Sequence, residues 1–334
     1  MADADPYLSA AEQARAAFDI DDHDLELVVV GENVTYCARR DESAYVLRLH
    51  RPGYHSLEEL DSERLWLAAL ADAGVRVPEP VCAADGRFFI PVGATPTDER
   101  FAGLTRWREG AVVADLQQST DVTAPVADQF AQLGSLMAQM HTQAVAWDPP
   151  ARFVRQRLGA DGLLGETPFW GRFWEADELT PSQADALGEA RLVALDRLRW
   201  YGEPAERFSV IHADLHLGNL LVDSAGALSV IDFDDAGYGW HQYDMAVALL
   251  HMQEAPDAEI ARAAFFEAYR AIRPISDDEL TWVSFFETVR LMMLIGWKAQ
   301  RPEVTWPAGR LDTVVEQALA GLAGLADLEQ HNQH

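Results

Sequence analysis

The chain has 334 residues, 49% of them hydrophobic and 24% charged, the balance of a folded protein long enough for two lobes or small domains. Its 54 acidic and 26 basic side chains give a net charge of −28, which disfavours nonspecific binding to nucleic acid or to an anionic membrane. No window reads as a membrane span, because the most apolar helix (282–297) is too short and carries Glu287 and Arg290 in its middle.

After MADADPYLSA, which lacks a basic-then-apolar signal pattern, Ser9 and Glu12 stand in capping-box spacing and predict a short helix. Three β-rich runs follow, LELVVV (25–30), NVTYCAR (33–39) and AYVLRLH (44–50). Gly31-Glu32 and residues 40–43 read as the turns between them. A helix is predicted over 56–73, ended by Gly74. Two further strands flank Asp85-Gly86, and another runs over 101–107. The sum is an antiparallel sheet of about five strands with one helix inserted after the third.

From Val122 onward the pattern turns helical, with helices near 123–142, 181–199, 242–252, 257–271, 277–298 and 308–325. Thr180 caps the second ahead of Pro181, and Ser276 with Glu279 forms a capping box for the fifth. A β-rich interlude, 208–233, is embedded among them. The expected fold class is α+β and bilobal: a small antiparallel sheet lobe, residues 1–106, and a larger mainly helical lobe, 107–334, with a cleft between. Cys37 and Cys82 are the only cysteines, which suits a reducing compartment, and a cytoplasmic location is expected.

The chemistry is concentrated in VIHADLHLGNLLVDSAGALSVIDFDDAGYG, residues 210–239. Two short strands joined by the turn Asp223-Ser-Ala-Gly226 are expected to hold Asn219 and Asp232 close together, with Asp214 on the loop before them. A carboxylate and an amide carbonyl suit a hard divalent cation, and a further carboxylate can orient an acceptor hydroxyl and take its proton. A rival reading is a hydrolytic zinc site of His212, Asp214 and His216, which would share one face if the segment were a strand.

HADLHLGN followed by IDF resembles the catalytic loop and metal motif of the aminoglycoside phosphotransferase-like kinases, a family that includes choline kinase, type II homoserine kinases and the bacterial stress-response kinase. The IDFDD and YGW text, with HRPGY, looks closer to the homoserine-kinase and stress-response branch. The resemblance implies a protein-kinase-like fold using ATP and Mg2+. It implies Asp214 as catalytic base, Asn219 and Asp232 as magnesium ligands, and His212 and His216 as structural residues of the loop.

In the first half the resemblance is looser. Gly31 occupies the phosphate-covering turn, and Glu32, Asn33 and Tyr36 match a family pattern. Val46 is implied to pack on adenine, and Arg48 stands where most relatives carry lysine. Lys298 is the only lysine in the chain, so the phosphate-gripping cation here has to be arginine, whose charged fork suits phosphate oxygens. Glu63 resembles the helix acid that pairs with that cation, with Glu59 as competitor. Thr105, Arg106 and Trp107 are implied as the hinge, whose backbone would meet adenine.

The acceptor lies beyond the shared core. Asp235 either contacts a cationic acceptor or braces the loop, and Asp244 is expected to hold the catalytic loop. Trp170, Trp174, Trp240 and Tyr243 either line a pocket or belong to the core. The expected function is transfer of the γ-phosphoryl group of ATP to a hydroxyl of a small molecule, with no nucleic-acid or membrane partner. A stress-response type of protein Ser/Thr kinase and a non-catalytic nucleotide-binding module stand as alternatives.

Overall fold

A computed structural model describes residues 5–20, 25–40, 43–93, 99–118, 125–253 and 255–331. Residues 41–42 of the second expected turn and 123–124 at the start of the first large helix lie outside the described residues. In chain order the elements begin with α1 (Leu8–Ala17), β1 (Leu25–Val30), β2 (Val34–Arg40), β3 (Ser43–Leu49) and α2 (Leu57–Asp72). Next come β4 (Pro80–Val81), β5 (Phe89–Val92), β6 (Arg100–Arg106), β7 (Ala111–Val112), α3 (Val113–Gln118) and α4 (Val126–Ala146). Then follow α5 (Ala160–Leu164), α6 (Pro181–Tyr201), β8 (Phe208–Ile211), β9 (Leu220–Val222), β10 (Leu228–Val230) and β11 (Gly237–Trp240). The last are α7 (His241–Leu250), α8 (Ala258–Ile272), α9 (Asp277–Ala299) and α10 (Arg310–His331).

The chain divides into two compact units. The first comprises Met1–Asp115 together with Asp148–Arg155 and Leu220–Asp232, both drawn from far along the sequence. Its main sheet has six strands in the order β1-β2-β3-β6-β4, with β5 also on β6, against the expected total of about five. β4 and β5 are the two strands expected on either side of Asp85-Gly86, and both pair with β6. A second, three-stranded sheet runs β10-β9-β7. Alternate residues of β2 and β3 (Tyr36 and Ala38; Tyr45, Leu47 and Leu49) pack with Phe18, Leu104 and the apolar face of α1 into one core.

Three helix starts follow the capping chemistry. Ser56 with Glu59, Thr180 with Gln183 and Ser276 with Glu279 each form reciprocal capping boxes at α2, α6 and α9. Ser9 does not cap α1. The helix begins at Leu8, two residues earlier than a Ser9 cap would start it, and the entry is held by Asp5, whose carboxylate accepts from the Tyr7 amide at 2.9 Å.

The second unit, Leu116–Trp147, Gln156–Asn219 and Phe233–His334, holds α4 to α10 and the strand pair β8–β11. The segment expected as one β interlude is thus divided. β9 and β10 form the predicted antiparallel hairpin within the first unit, whereas β8 pairs with β11 in the second. The sequence reading missed β11 because its GYGW text looks like a loop. Gly237 is sterically required there, since a Cβ would lie 2.6 Å from the Gln156 carbonyl oxygen, while at Gly239 a Cβ would force the Ile211 side chain to shift, with Cδ1 at 2.5 Å. Among the described residues no helix is long and apolar enough to cross a membrane.

Candidate active site

In the second unit the loop after β8 carries Asp214. Ala213 before it adopts φ +66°, a left-handed conformation that costs a β-carbon residue energy and needs fixing from outside. Asp244, on α7, supplies the restraint: its carboxylate accepts from the amides of His212 at 3.2 Å and Ala213 at 2.8 Å. His141 of α4 reaches the same carboxylate through Nε2 at 3.1 Å, and its Nδ1 lies 2.9 Å from the Tyr269 hydroxyl. Burial raises the Asp244 pKa to about 6 despite these partners. Burial pushes His141 well below its ordinary pKa, and the same cause, aided by His141, lowers His241, whose ring stacks on it at 4.2 Å. Two neutral rings tolerate that stacking; two imidazolium ions would repel.

The loop continues through a short 3-10 turn to Asn219. Asn219 Nδ2 donates to the Asp214 carbonyl at 2.8 Å and to Asp214 Oδ2 at 3.1 Å, while no described residue donates to the Asn219 amide oxygen. His216 folds over Gly218, accepting its amide at 3.0 Å, and a Cβ at 218 would meet the ring at 2.7 Å. His216 Nε2 stands 3.5 Å from Asp214 Oδ2. Asp214 Oδ1 takes a 2.5 Å ion pair from Arg290 of α9, and its side chain keeps 25% exposure. Burial raises the Asp214 pKa, but His216, Arg290 and His212 together outweigh it and hold the carboxyl well below the usual range.

His212, Asp214 and His216 do not converge as zinc ligands. No group of three or more His, Cys, Asp or Glu among the described residues is arranged to hold a metal, and the His212 ring is buried against Phe233 at 4.6 Å. Tyr243 and Trp170 are both buried, at 0% and 1% exposure, and both meet Arg290: the Tyr243 hydroxyl accepts from its Nη1 at 3.3 Å, and the guanidinium lies 5.5 Å over the Trp170 ring. Asp235 is near enough for its charge to bear on Tyr243 and Arg290, and its carbonyl accepts from Gln156 at 2.8 Å.

In the first unit, Arg48 on β3 pairs with Asp232, Nη1 to Oδ1 at 3.0 Å. Asp232 follows β10 and adopts φ +62°. Val46, on the same face of β3 as Arg48, lies in register between Cys37 and Thr105. Glu59 is engaged in capping α2, its carboxylate accepting from the Ser56 amide at 2.8 Å. Glu63, one turn on, faces the buried Arg155 at 3.6 Å. Asn33 Oδ1 accepts from the Arg51 amide at 2.9 Å and so ties the first hairpin to the end of β3. At Gly31 a Cβ would meet nothing nearer than the Asn33 carbonyl oxygen at 3.9 Å. In the expected hinge the Arg106 and Trp107 amides donate to Glu79 and Ala44, so both are committed to strand pairing, and Thr105 lies between β3 and β4.

Arg290 and Arg155 were not singled out from sequence as site residues. Arg290 carried a signal, as a lone cation within an otherwise apolar stretch of helix; Arg155 carried none.

The antiparallel sheet, the helical part and this loop define a protein-kinase-like phosphotransferase. The chain belongs to the phosphotransferase enzyme family, whose model matches residues 29–276. It is 32% identical to a microcompartment-associated aminopropanol kinase, over 97% of this chain and 98% of that one, with a TM-score of 0.80. The homoserine kinase of Methylobacillus flagellatus is 26% identical over 295 residues, 86% of this chain and 82% of its own length. An amicoumacin kinase in complex with AMP-PNP, Ca2+ and Ami shares the fold at a TM-score of 0.79 and 19% identity, covering 95% of this chain and 94% of that one.

Proposed function

We propose that this protein transfers the γ-phosphoryl group of ATP, as its magnesium complex, to the hydroxyl of a small hydroxyl-bearing amine. The reading rests above all on Asp214, a solvent-reachable carboxylate whose orientation is set by Asn219 while the Asn219 amide oxygen receives no donor from the described residues. That oxygen and the Asp232 carboxylate are hard donors of the kind a divalent cation selects, so both fit as its ligands. Bound magnesium would neutralise charge on the β- and γ-phosphates. Asp214 orients the acceptor hydroxyl and receives its proton as the new oxygen–phosphorus bond forms and the bond to ADP breaks. A strongly ionised carboxylate suits this role, because the transition state is loose and proton transfer is late.

Arg48 grips nucleotide phosphate, and Asp232 holds the guanidinium in reach until then. Gly31 covers the phosphates: among the described residues nothing demands glycine there, and a close ligand approach would be its reason. Val46 packs on adenine, with the backbone that follows β6 beside it. The committed amides of Arg106 and Trp107 leave that backbone's later groups for the base. Glu63 and Arg155 brace α2. The amine preference is motivated by the 32% identity to an aminopropanol kinase and by Asp235 near the acceptor end of the loop.

The test is ADP release from Mg-ATP with aminopropanol, homoserine, choline and aminoglycosides as acceptors, for wild type and Asp214→Asn. Turnover with an amino alcohol that disappears in the variant supports the reading; full turnover in the variant ends it. Radiolabel passing from ATP into protein bands of a lysate, and into none of these acceptors, would instead favour a protein acceptor.

A further inference from the structure

Helix α9 buries most of its middle, from Phe285 to Gly296, and two ionisable side chains lie within that stretch. Glu287 is matched by Arg262 at 2.5 Å, a pair between α9 and α8 that touches nothing reactive. Arg290 is matched by Asp214. Burying an arginine is costly unless its charge is paired and its donors are used, and a well-packed apolar residue would serve helix packing as well or better. Arg290 is nonetheless held from three sides: Asp214 takes Nη2, the Tyr243 hydroxyl takes Nη1, and the Trp170 ring lies under the guanidinium. With only 10% of its side chain exposed, it is fixed rather than swinging.

The opposite side of the same carboxylate is taken by Asn219 Nδ2 at 3.1 Å. Asp214 is therefore gripped on one oxygen by a cation from α9 and on the other by an amide from its own loop. That defines the plane and direction of the carboxylate before any acceptor arrives. A freely rotating aspartate would have to be ordered at each turnover, and a misplacement of about 1 Å can cost on the order of 100-fold in rate.

We propose that Arg290, supported by Tyr243 and Trp170, is a positioning residue for the phosphoryl-transfer step that aims Asp214 at the acceptor hydroxyl. The inference rests on the reading of Asp214 as the base. It also reassigns Tyr243 and Trp170 from acceptor contact to support of the guanidinium, in keeping with their complete burial.

Wild type, Arg290→Met, Arg290→Lys and Tyr243→Phe are compared with Mg-ATP and aminopropanol or homoserine as acceptor, together with thermal melting. Arg290→Met is expected to lower kcat about 10- to 100-fold with the KM for ATP nearly unchanged, and Arg290→Lys to regain part of the loss. Tyr243→Phe, which removes only the hydroxyl that Arg290 donates to, is expected to lose about two- to fivefold in kcat. A purely structural arginine predicts lower melting temperatures with kcat per folded molecule intact in all three variants, and that result overturns the proposal. If Arg290→Met does not fold, wild-type kcat in both Arg290→Lys and Tyr243→Phe overturns it equally. Should neither acceptor turn over, a crystal structure of Arg290→Lys or Arg290→Met decides: a rotated Asp214 carboxylate supports the proposal and an unmoved one refutes it. Asp214→Asn keeps the two claims apart. If that variant is inactive while the Arg290 variants are fully active, only the positioning role fails; if it is fully active, the reading of Asp214 fails first.

Discussion

The Arg48 guanidinium meets the Asp232 carboxylate at 3.0 Å across 184 residues of chain. Arg51, three residues from Arg48, is occupied differently: its amide is tied to Asn33, its guanidinium lies 3.8 Å over the Tyr54 ring, and Glu32 stands 3.6 Å away. Arg48→Ala should therefore raise the KM for ATP about tenfold or more while Arg51→Ala changes it little. Steady-state kinetics with ATP as the varied substrate separate the two, and equal effects would remove Arg48 from the phosphate site.

Asp214→Asn and Asp214→Ala should differ in stability though both lose turnover. Asparagine keeps an oxygen for Arg290, whereas alanine leaves a largely buried guanidinium without its partner. We expect kcat to fall by about 100-fold or more in both, and the alanine variant to be less stable than the asparagine one by roughly 1–3 kcal/mol. Chemical denaturation alongside ADP release checks this. Equal stability of the two variants would mean that the oxygen kept by asparagine contributes nothing beside Arg290.

Asp244→Ala removes the acceptor of two backbone amides and one histidine, all buried. Unsatisfied buried donors of this kind are expected to cost about 2–4 kcal/mol in total, and the left-handed turn at Ala213 to lose its restraint. The variant should unfold at lower denaturant and, where still folded, turn over more slowly. Wild-type stability would show that another group holds the loop.

The stacked pair His141 and His241 sets a pH dependence. Both have folded pKa values below the unfolded value of about 6.5, so between the two values the unfolded chain binds more protons and stability rises with pH. Asp244, raised to about 6, acts in the opposite sense between its unfolded and folded values, but it is one group against two. Denaturation midpoints should therefore be higher at about pH 7 than at about pH 5, and His241→Gln should flatten the difference. An unchanged slope in that variant would show that the ring titrates as freely in the folded state as in the unfolded chain.

What could be read from the sequence was whatever is local. The β-branched runs of β1 to β3 and the capping pairs at Thr180 and Ser276 depend on neighbours a few residues away, and Asp214, Asn219 and Asp232 stood out as a motif because one short segment, 210–239, carries all three. The hairpin of β9 and β10 was likewise legible from its turn. Partnerships set by tertiary structure were not. Arg290 lies 76 residues from Asp214, and no periodicity encodes that meeting. Glu63 was preferred over Glu59 by resemblance alone, and it is the capping box at Ser56 that engages Glu59. Strand β11 was hidden because close approach of the Gln156 backbone requires glycine at 237, and glycine in a short run reads as a turn. Ser9 misled for the converse reason: its spacing to Glu12 was correct, but Asp5 secures the helix two residues earlier, at Tyr7.

The first unit recruits β9, β10 and Asp232 from more than a hundred residues downstream of its other strands. A recombinant fragment ending near Asp115 would consequently expose the edge of β7 and deprive Arg48 of its counter-ion. The protein cannot be dissected at a single cut into a nucleotide half and an acceptor half. Any attempt to transplant its acceptor preference onto a relative must graft discontinuous pieces.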